Sequence, residues 1–211
     1  MKAITNLRLG IFTLLLMLVG CTHKPEPTAA IYRLDGVEPA VYYTAPTPLN
    51  EGYDGELAII MIQGWHGGVQ IIPGYLALQE AIKDSYVISP MFPRNEMMQT
   101  RNIEPDGRAI WNDSWPLDLT IPGVPDDDWR GGGDANGTEL SSFDVIDLLL
   151  AKFSDKKAFP NLKRVAMVGF SAGGQFVGRY VAVGKGEVAP HLELVYVAMA
   201  PSTFLIPDPN D

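Results

Sequence analysis

Apolar residues recur along this chain in two rhythms, and their alternation predicts the architecture. Four short runs are almost continuously apolar: Glu56 to Ile62, Tyr86 to Ser89, Lys163 to Val168 and Leu192 to Met199. Runs of that length, bounded by Gly, Pro and charged positions, are the pattern of strands buried on both faces. Between them the spacing changes to that of helices. Tyr75, Leu76, Leu78 and Ile82 share one face of a helix predicted over 73–83, with Pro73 suited to its first turn. Phe143, Ile146, Leu149 and Leu150 share a face of a second helix, for which Thr138 and Ser141 are both candidate caps. Phe176, Val177 and Tyr180 mark a third, ending near Gly184. Ahead of these, Ile31–Leu34 and Ala40–Tyr43 flank Asp35-Gly36 and read as an antiparallel hairpin. The alternation implies an α/β fold with a mainly parallel, doubly wound sheet, in one domain spanning 31–211.

The residues before that domain follow neither rhythm. Lys2 and Arg8 precede an apolar stretch, Leu9 to Val19, that is too short to span a bilayer and suits the core of a signal peptide. It ends in Leu18-Val19-Gly20-Cys21, which is similar to a bacterial lipobox. The resemblance implies that residues 1–20 are removed and that Cys21 is lipidated. The alternative is a secretory leader followed by an incidental cysteine. Cys21 is the only cysteine, which excludes a disulfide within the chain. Residues 21–30, with Pro25 and Pro27, read as a tether that includes His23. A protein held by lipid in the cell envelope is therefore expected, and Thr22 rather than Asp after the cysteine favours the outer membrane if the envelope is Gram-negative. The formal charge of -9 becomes more negative without the leader, arguing against nucleic acid or docking on anionic lipid by charge.

Candidate chemistry centres on Gly169-Phe170-Ser171-Ala172-Gly173, placed directly between a predicted strand and a predicted helix. A serine at such a turn is held in a strained conformation at the C-terminal rim of a parallel sheet, with small neighbours leaving room. The earlier strand Glu56–Ile62 runs into Gln63-Gly64-Trp65-His66-Gly67-Gly68. Together these residues resemble the α/β-hydrolases, and the resemblance covers 31–211. It implies a serine hydrolase acting on an acyl bond of a small molecule or polymer, with Ser171 as nucleophile. The backbone N–H groups of Gly67, Gly68 and Ala172 would form the oxyanion hole. Neither a metal nor an organic cofactor is needed for that chemistry.

The partners of Ser171 are harder to place. The family order is serine, acid, histidine, yet only His191 follows Ser171. It precedes the last predicted strand, on the order of 25 Å from the rim if that strand is parallel. Asp208 is a candidate acid after the sixth strand, and His66 is the histidine nearest the rim along the chain. Two further strands of the family sheet are missing from the pattern, so the domain is expected to be incomplete at its C-terminal side. The strand around Val195 would then be an apolar edge open to self-association. Three readings follow: a fragment of a lipid-anchored hydrolase, a hydrolase with an unusual base, or a non-catalytic binding lipoprotein.

Residues 90–137 form a long segment rich in Pro, Gly, Asp and Trp. Trp111, Trp115 and Trp129 either line the approach to Ser171 or pin the segment to the core. Asp126, Asp127, Asp128, Asp134 and Asn136 read as a solvated acidic loop, since their spacing fails the calcium-loop pattern.

Overall fold

Six strands form one sheet among the residues described by the computed structural model, which are 29–65, 71–100, 102, 104–112, 128–201 and 203–204, with the side chains of 71–73 excepted. The leader, Cys21, His66, Gly67, Gly68, Trp115, Asp126, Asp127 and Asp208 lie outside the described residues. The strands are β1 (Ala30–Arg33), β2 (Tyr42–Ala45), β3 (Leu57–Ile62), β4 (Ser85–Pro90), β5 (Arg164–Phe170) and β6 (Glu193–Met199). Their spatial order is β1-β2-β4-β3-β5-β6. The hairpin is antiparallel, and β2 runs antiparallel to β4. From β4 through β6 every pairing is parallel, as the near-continuous apolar runs require.

Among the described residues four helices join or flank the strands: α1 (Ile71–Ala81), α2 (Asn95–Thr100), α3 (Ser142–Phe153) and α4 (Ala172–Val183). The helix expected over 73–83 therefore begins and ends two residues earlier. The second strand of the hairpin begins two residues later than its apolar run. Ala40 is already engaged elsewhere, exchanging backbone hydrogen bonds with Gly107 and Ala109 at 3.0 and 2.8 Å. At the other end of the pair, β1 takes in Ala30, which the sequence assigned to the tether. The segment 90–137 is not wholly loop, because it contains α2 and a 3-10 turn over Trp129–Gly131.

Of the two candidate caps for α3, Ser141 is used. Its hydroxyl oxygen accepts from the Asp144 amide at 3.0 Å, and Asp144 accepts in return from the Ser141 amide at 3.1 Å. Such a reciprocal box is worth about 1 kcal/mol. Burial works to raise the Asp144 pKa, but hydrogen bonds from Ser141 and Lys185 outweigh it and the net shift is downward.

Helices lie on both faces of the sheet. On one side α1 packs Tyr75 against Ile59 and Val87. On the other, α3 and α4 bury Phe143, Ile146, Leu149, Leu150, Phe153, Phe176 and Tyr180 over Ile60, Ile62, Val165 and Met167. The Tyr180 hydroxyl ties the two helices by donating to Asp147 Oδ1 while accepting from the Gly186 amide at 3.1 Å. Tyr86 is buried in the same core and donates to the Thr47 carbonyl at 2.6 Å.

Among the described residues β6 pairs only with β5. Its two faces differ. Leu194 and Tyr196 pack against the α3–α4 core, whereas on the α1 side Val197 is 38% and Met199 42% exposed, next to Phe170 at 61%. Each large apolar side chain left in water forfeits about 1.5–3 kcal/mol relative to burial. Elution on size-exclusion chromatography is therefore expected to shift with protein concentration. Val197→Lys, on the open face of this edge strand, should remove the shift, and concentration-independent monomer elution of the unaltered protein would contradict the expectation.

Candidate active site

The parallel register brings four strand ends to one rim. Ile62 pairs with Gly169, and Phe170 with Met199, so the chain leaves β3, β5 and β6 side by side with β4 next to β3. At an open parallel sheet this carboxyl-end rim is where ligands bind. Ser171 is the first residue past β5 and the N-cap of α4, with φ 56° and ψ -118°. A non-glycine residue there is strained by about 1–3 kcal/mol. Its own amide donates to the Met199 carbonyl at 3.0 Å and its carbonyl accepts from the Gln175 amide at 2.9 Å, which together hold the turn.

The two glycines of the motif are required by contact. A Cβ at position 169 would come within 2.2 Å of the Gly173 carbonyl oxygen. One at position 173 would stand 2.5 Å from the Ile62 oxygen and 2.7 Å from that of Gln63. Gly174 is equally confined, 2.4 Å from the Met199 oxygen. The start of α4 thus nests against the ends of β3 and β6. Ala172 is buried at the first helical position, where a backbone N–H has no partner within the helix and is part of the positive end of the helix dipole.

Gln63 closes the next gap along the rim. Its side-chain amide donates to the Phe92 carbonyl at 2.8 Å and its oxygen accepts from the Phe92 amide at 3.3 Å, extending the β3–β4 pairing by a side chain. Beneath the rim Phe92, Trp129 and Phe176 form a stack with ring centres 5.5–5.9 Å apart. Trp111 meets Phe92 edge-on and donates from Nε1 to the Gly133 carbonyl at 2.9 Å. Trp111 and Trp129 are both fully buried, so they pin the long segment to the core and do not line an approach.

The acidic loop reading is corrected at Asp128, which is fully buried. Asp128 accepts from the Arg130 backbone amide at 2.7 Å and from Arg130 Nε at 2.6 Å. Asp134 and Asn136 remain exposed, as expected. Sequence reasoning missed Arg130, Arg94 and Gln175 as rim residues, because nothing in local spacing marks an arginine for burial. His191 lies two residues before Glu193, which pairs with Arg164 at the far end of β5. Six strand residues, about 20 Å, separate that pairing from the Phe170–Met199 pairing beside Ser171. No group of three or more His, Cys, Asp or Glu that could hold a metal ion occurs among the described residues.

No family model and no curated protein matches the chain in sequence. Solved structures resemble it in fold. A poly(3-hydroxybutyrate) depolymerase from Bordetella parapertussis is 14% identical with TM-score 0.43, over 80% of this chain and 50% of its own. A siderophore hydrolase from Aspergillus nidulans is 17% identical with TM-score 0.43, over 86% and 59%. A poly(aspartic acid) hydrolase from Sphingomonas sp. KT-1 is 20% identical with TM-score 0.40, over 74% and 51%. The chain thus spans between half and three-fifths of the length of these structures. What the chain itself shows is an α/β fold, a mainly parallel sheet with helices on both faces.

Strain at Ser171 and crowding at Gly173 make opposite predictions for stability. Ser171→Gly, which relieves the positive φ, should raise stability by about 1 kcal/mol in a denaturant titration. Gly173→Ala should cost about 1–3 kcal/mol or more, because the obstructing atoms are backbone. A destabilised Ser171→Gly variant would show that the turn is not strained.

Proposed function

We propose that the protein is a serine hydrolase acting on a carboxylic ester or related acyl bond, with Ser171 as the nucleophile. The observation that carries this reading is the strained backbone of Ser171 at the head of α4, on the rim where β3, β5 and β6 end together. Strain of this kind is kept where geometry at a reacting atom matters. In this reading Ser171 Oγ attacks the acyl carbon and its proton passes to a base, while the carbonyl electrons move onto oxygen. The amides of Gly67, Gly68 and Ala172 stabilise that oxyanion by a few kcal/mol each. Asp208 is the candidate acid, and the base is the open role.

The position of His191, the only histidine among the described residues, favours a second reading. A serine without an adjacent base is a weak nucleophile. The same rim would then bind an acyl compound without turning it over. In both readings we assign Cys21 as the lipidated residue that holds the protein to a bacterial envelope membrane, on the strength of Leu18-Val19-Gly20-Cys21 after a basic and apolar leader.

Two measurements test these assignments. A fluorophosphonate and a panel of short aryl esters should react with the purified protein slowly but in a Ser171-dependent way, with both activities lost in Ser171→Ala. Turnover that survives Ser171→Ala would overturn the nucleophile, and a folded protein that does not react at all would favour the binding reading. Expressed in a bacterium that processes lipoproteins, the protein should sediment with membranes, and Cys21→Ala should release it. Recovery of both forms in the soluble fraction would overturn the anchor.

A further inference from the structure

The buried polar contacts at the rim converge on one aromatic ring. Trp65, three residues past the end of β3, has the guanidinium carbon of Arg94 3.8 Å from its ring centre and that of Arg130 4.5 Å away. Arg94 also donates from Nη2 to the Trp65 carbonyl at 3.3 Å, so ring and main chain are both engaged. Neither arginine is at the surface, with exposures of 5% and 1%. Cation–ring contacts gain most when water is excluded in this way.

Arg130 is itself immobilised. Its Nε and Nη2 donate to one oxygen of Asp128, whose other oxygen holds the Arg130 main chain. Its Nη1 donates to Gln175 Oε1 at 3.3 Å. Gln175 stands one turn past Ser171 on α4, and its side-chain amide donates onward to Thr203 beyond β6. One continuous path therefore runs from the Trp65 ring through Arg130 and Gln175 to the turn at Ser171.

We infer that Arg130 is a positioning residue, whose guanidinium, locked by Asp128 and Gln175, sets where Trp65 and the chain leaving β3 sit relative to the Ser171 turn. This deepens the proposed reaction and rests on it only for the kinetic consequence. An ion pair between residues two apart gains little from burial as a stabilising device, since an apolar pair of like volume serves as well. A planar fork that grips a carboxylate, reaches an amide and lies against an indole is something only arginine supplies. Lysine keeps the charge and loses the plane.

The test labels the four tryptophans of the protein with 5-fluorotryptophan and follows them by fluorine NMR, assigning Trp65 with Trp65→Phe. In Arg130→Lys the Trp65 resonance should shift or broaden while that of Trp111, in the core, stays in place. The rate of Ser171 phosphonylation by a fluorophosphonate should fall about tenfold or more. A Trp65 resonance unmoved in folded Arg130→Lys overturns the inference. Should Arg130→Lys fail to fold, as loss of the native Trp111 resonance would reveal, Gln175→Met keeps the Asp128–Arg130 pair and cuts the link to α4. The Trp65 resonance should then broaden, and an unmoved one again overturns the inference. If Ser171 of the unaltered protein does not react while Trp65 responds as expected, the hydrolase reading fails and the positioning role stands.

Discussion

The carbonyl oxygens of Ile62 and Gln63 leave no room for a side chain at position 173, and the rim is organised around that contact. With hydrogen alone on that carbon, α4 begins immediately after β5, close against the end of β3. The abrupt start forces Ser171 into the left-handed half of backbone space. It also places Gly174 against the Met199 carbonyl, which fixes the end of β6 relative to the helix. Three strand ends and one helix end are thus located by a few steric exclusions together with the hydrogen bond from the Ser171 amide to the Met199 carbonyl. Beneath them the Phe92–Trp129–Phe176 stack supplies the cohesion, because each ring comes from a different segment.

What could be read in advance was whatever is encoded locally. β3 and β5 declare themselves as apolar runs, and their parallel pairing follows from the helical spacing between runs. Ser171 was legible because the constraint on Gly169 and Gly173 is written in five consecutive residues. The hairpin was visible through Asp35-Gly36, whose glycine adopts φ 78°. Element ends were less legible, as with β2, where Ala40 is drawn to Gly107 and Ala109 by hydrogen bonds that no neighbouring residue signals.

The buried rim charges could not be read, and the reason is physical. In sequence, Asp128 belongs to a run of three aspartates, which by composition is solvated. Its burial depends on Arg130 being nearby, on Gln175, forty-five residues after Arg130, receiving the guanidinium, and on Trp65 offering its ring. Removing two charges from water is costly unless every donor and acceptor finds a partner. Trp111 and Trp129 present the same difficulty in apolar form, since a tryptophan in a long polar segment is equally compatible with a mouth and with an anchor. Only the packing of Phe92 and Phe176 decides it.

The buried tyrosines give the fold an optical property of its own. Burial drives the phenols of Tyr75, Tyr86 and Tyr180 well above the ordinary tyrosine range, and the carboxylate of Asp147 adds to the effect at Tyr180. A group whose pKa is raised on folding contributes stability that is complete below its unfolded value and is lost as the pH climbs past it. In alkali these three rings therefore stay protonated for as long as the chain stays folded, while exposed tyrosines ionise. Their phenolate absorbance emerges together with unfolding, so the ultraviolet spectrum of the unlabelled protein records the integrity of both helical layers, α1 through Tyr75 and α4 through Tyr180.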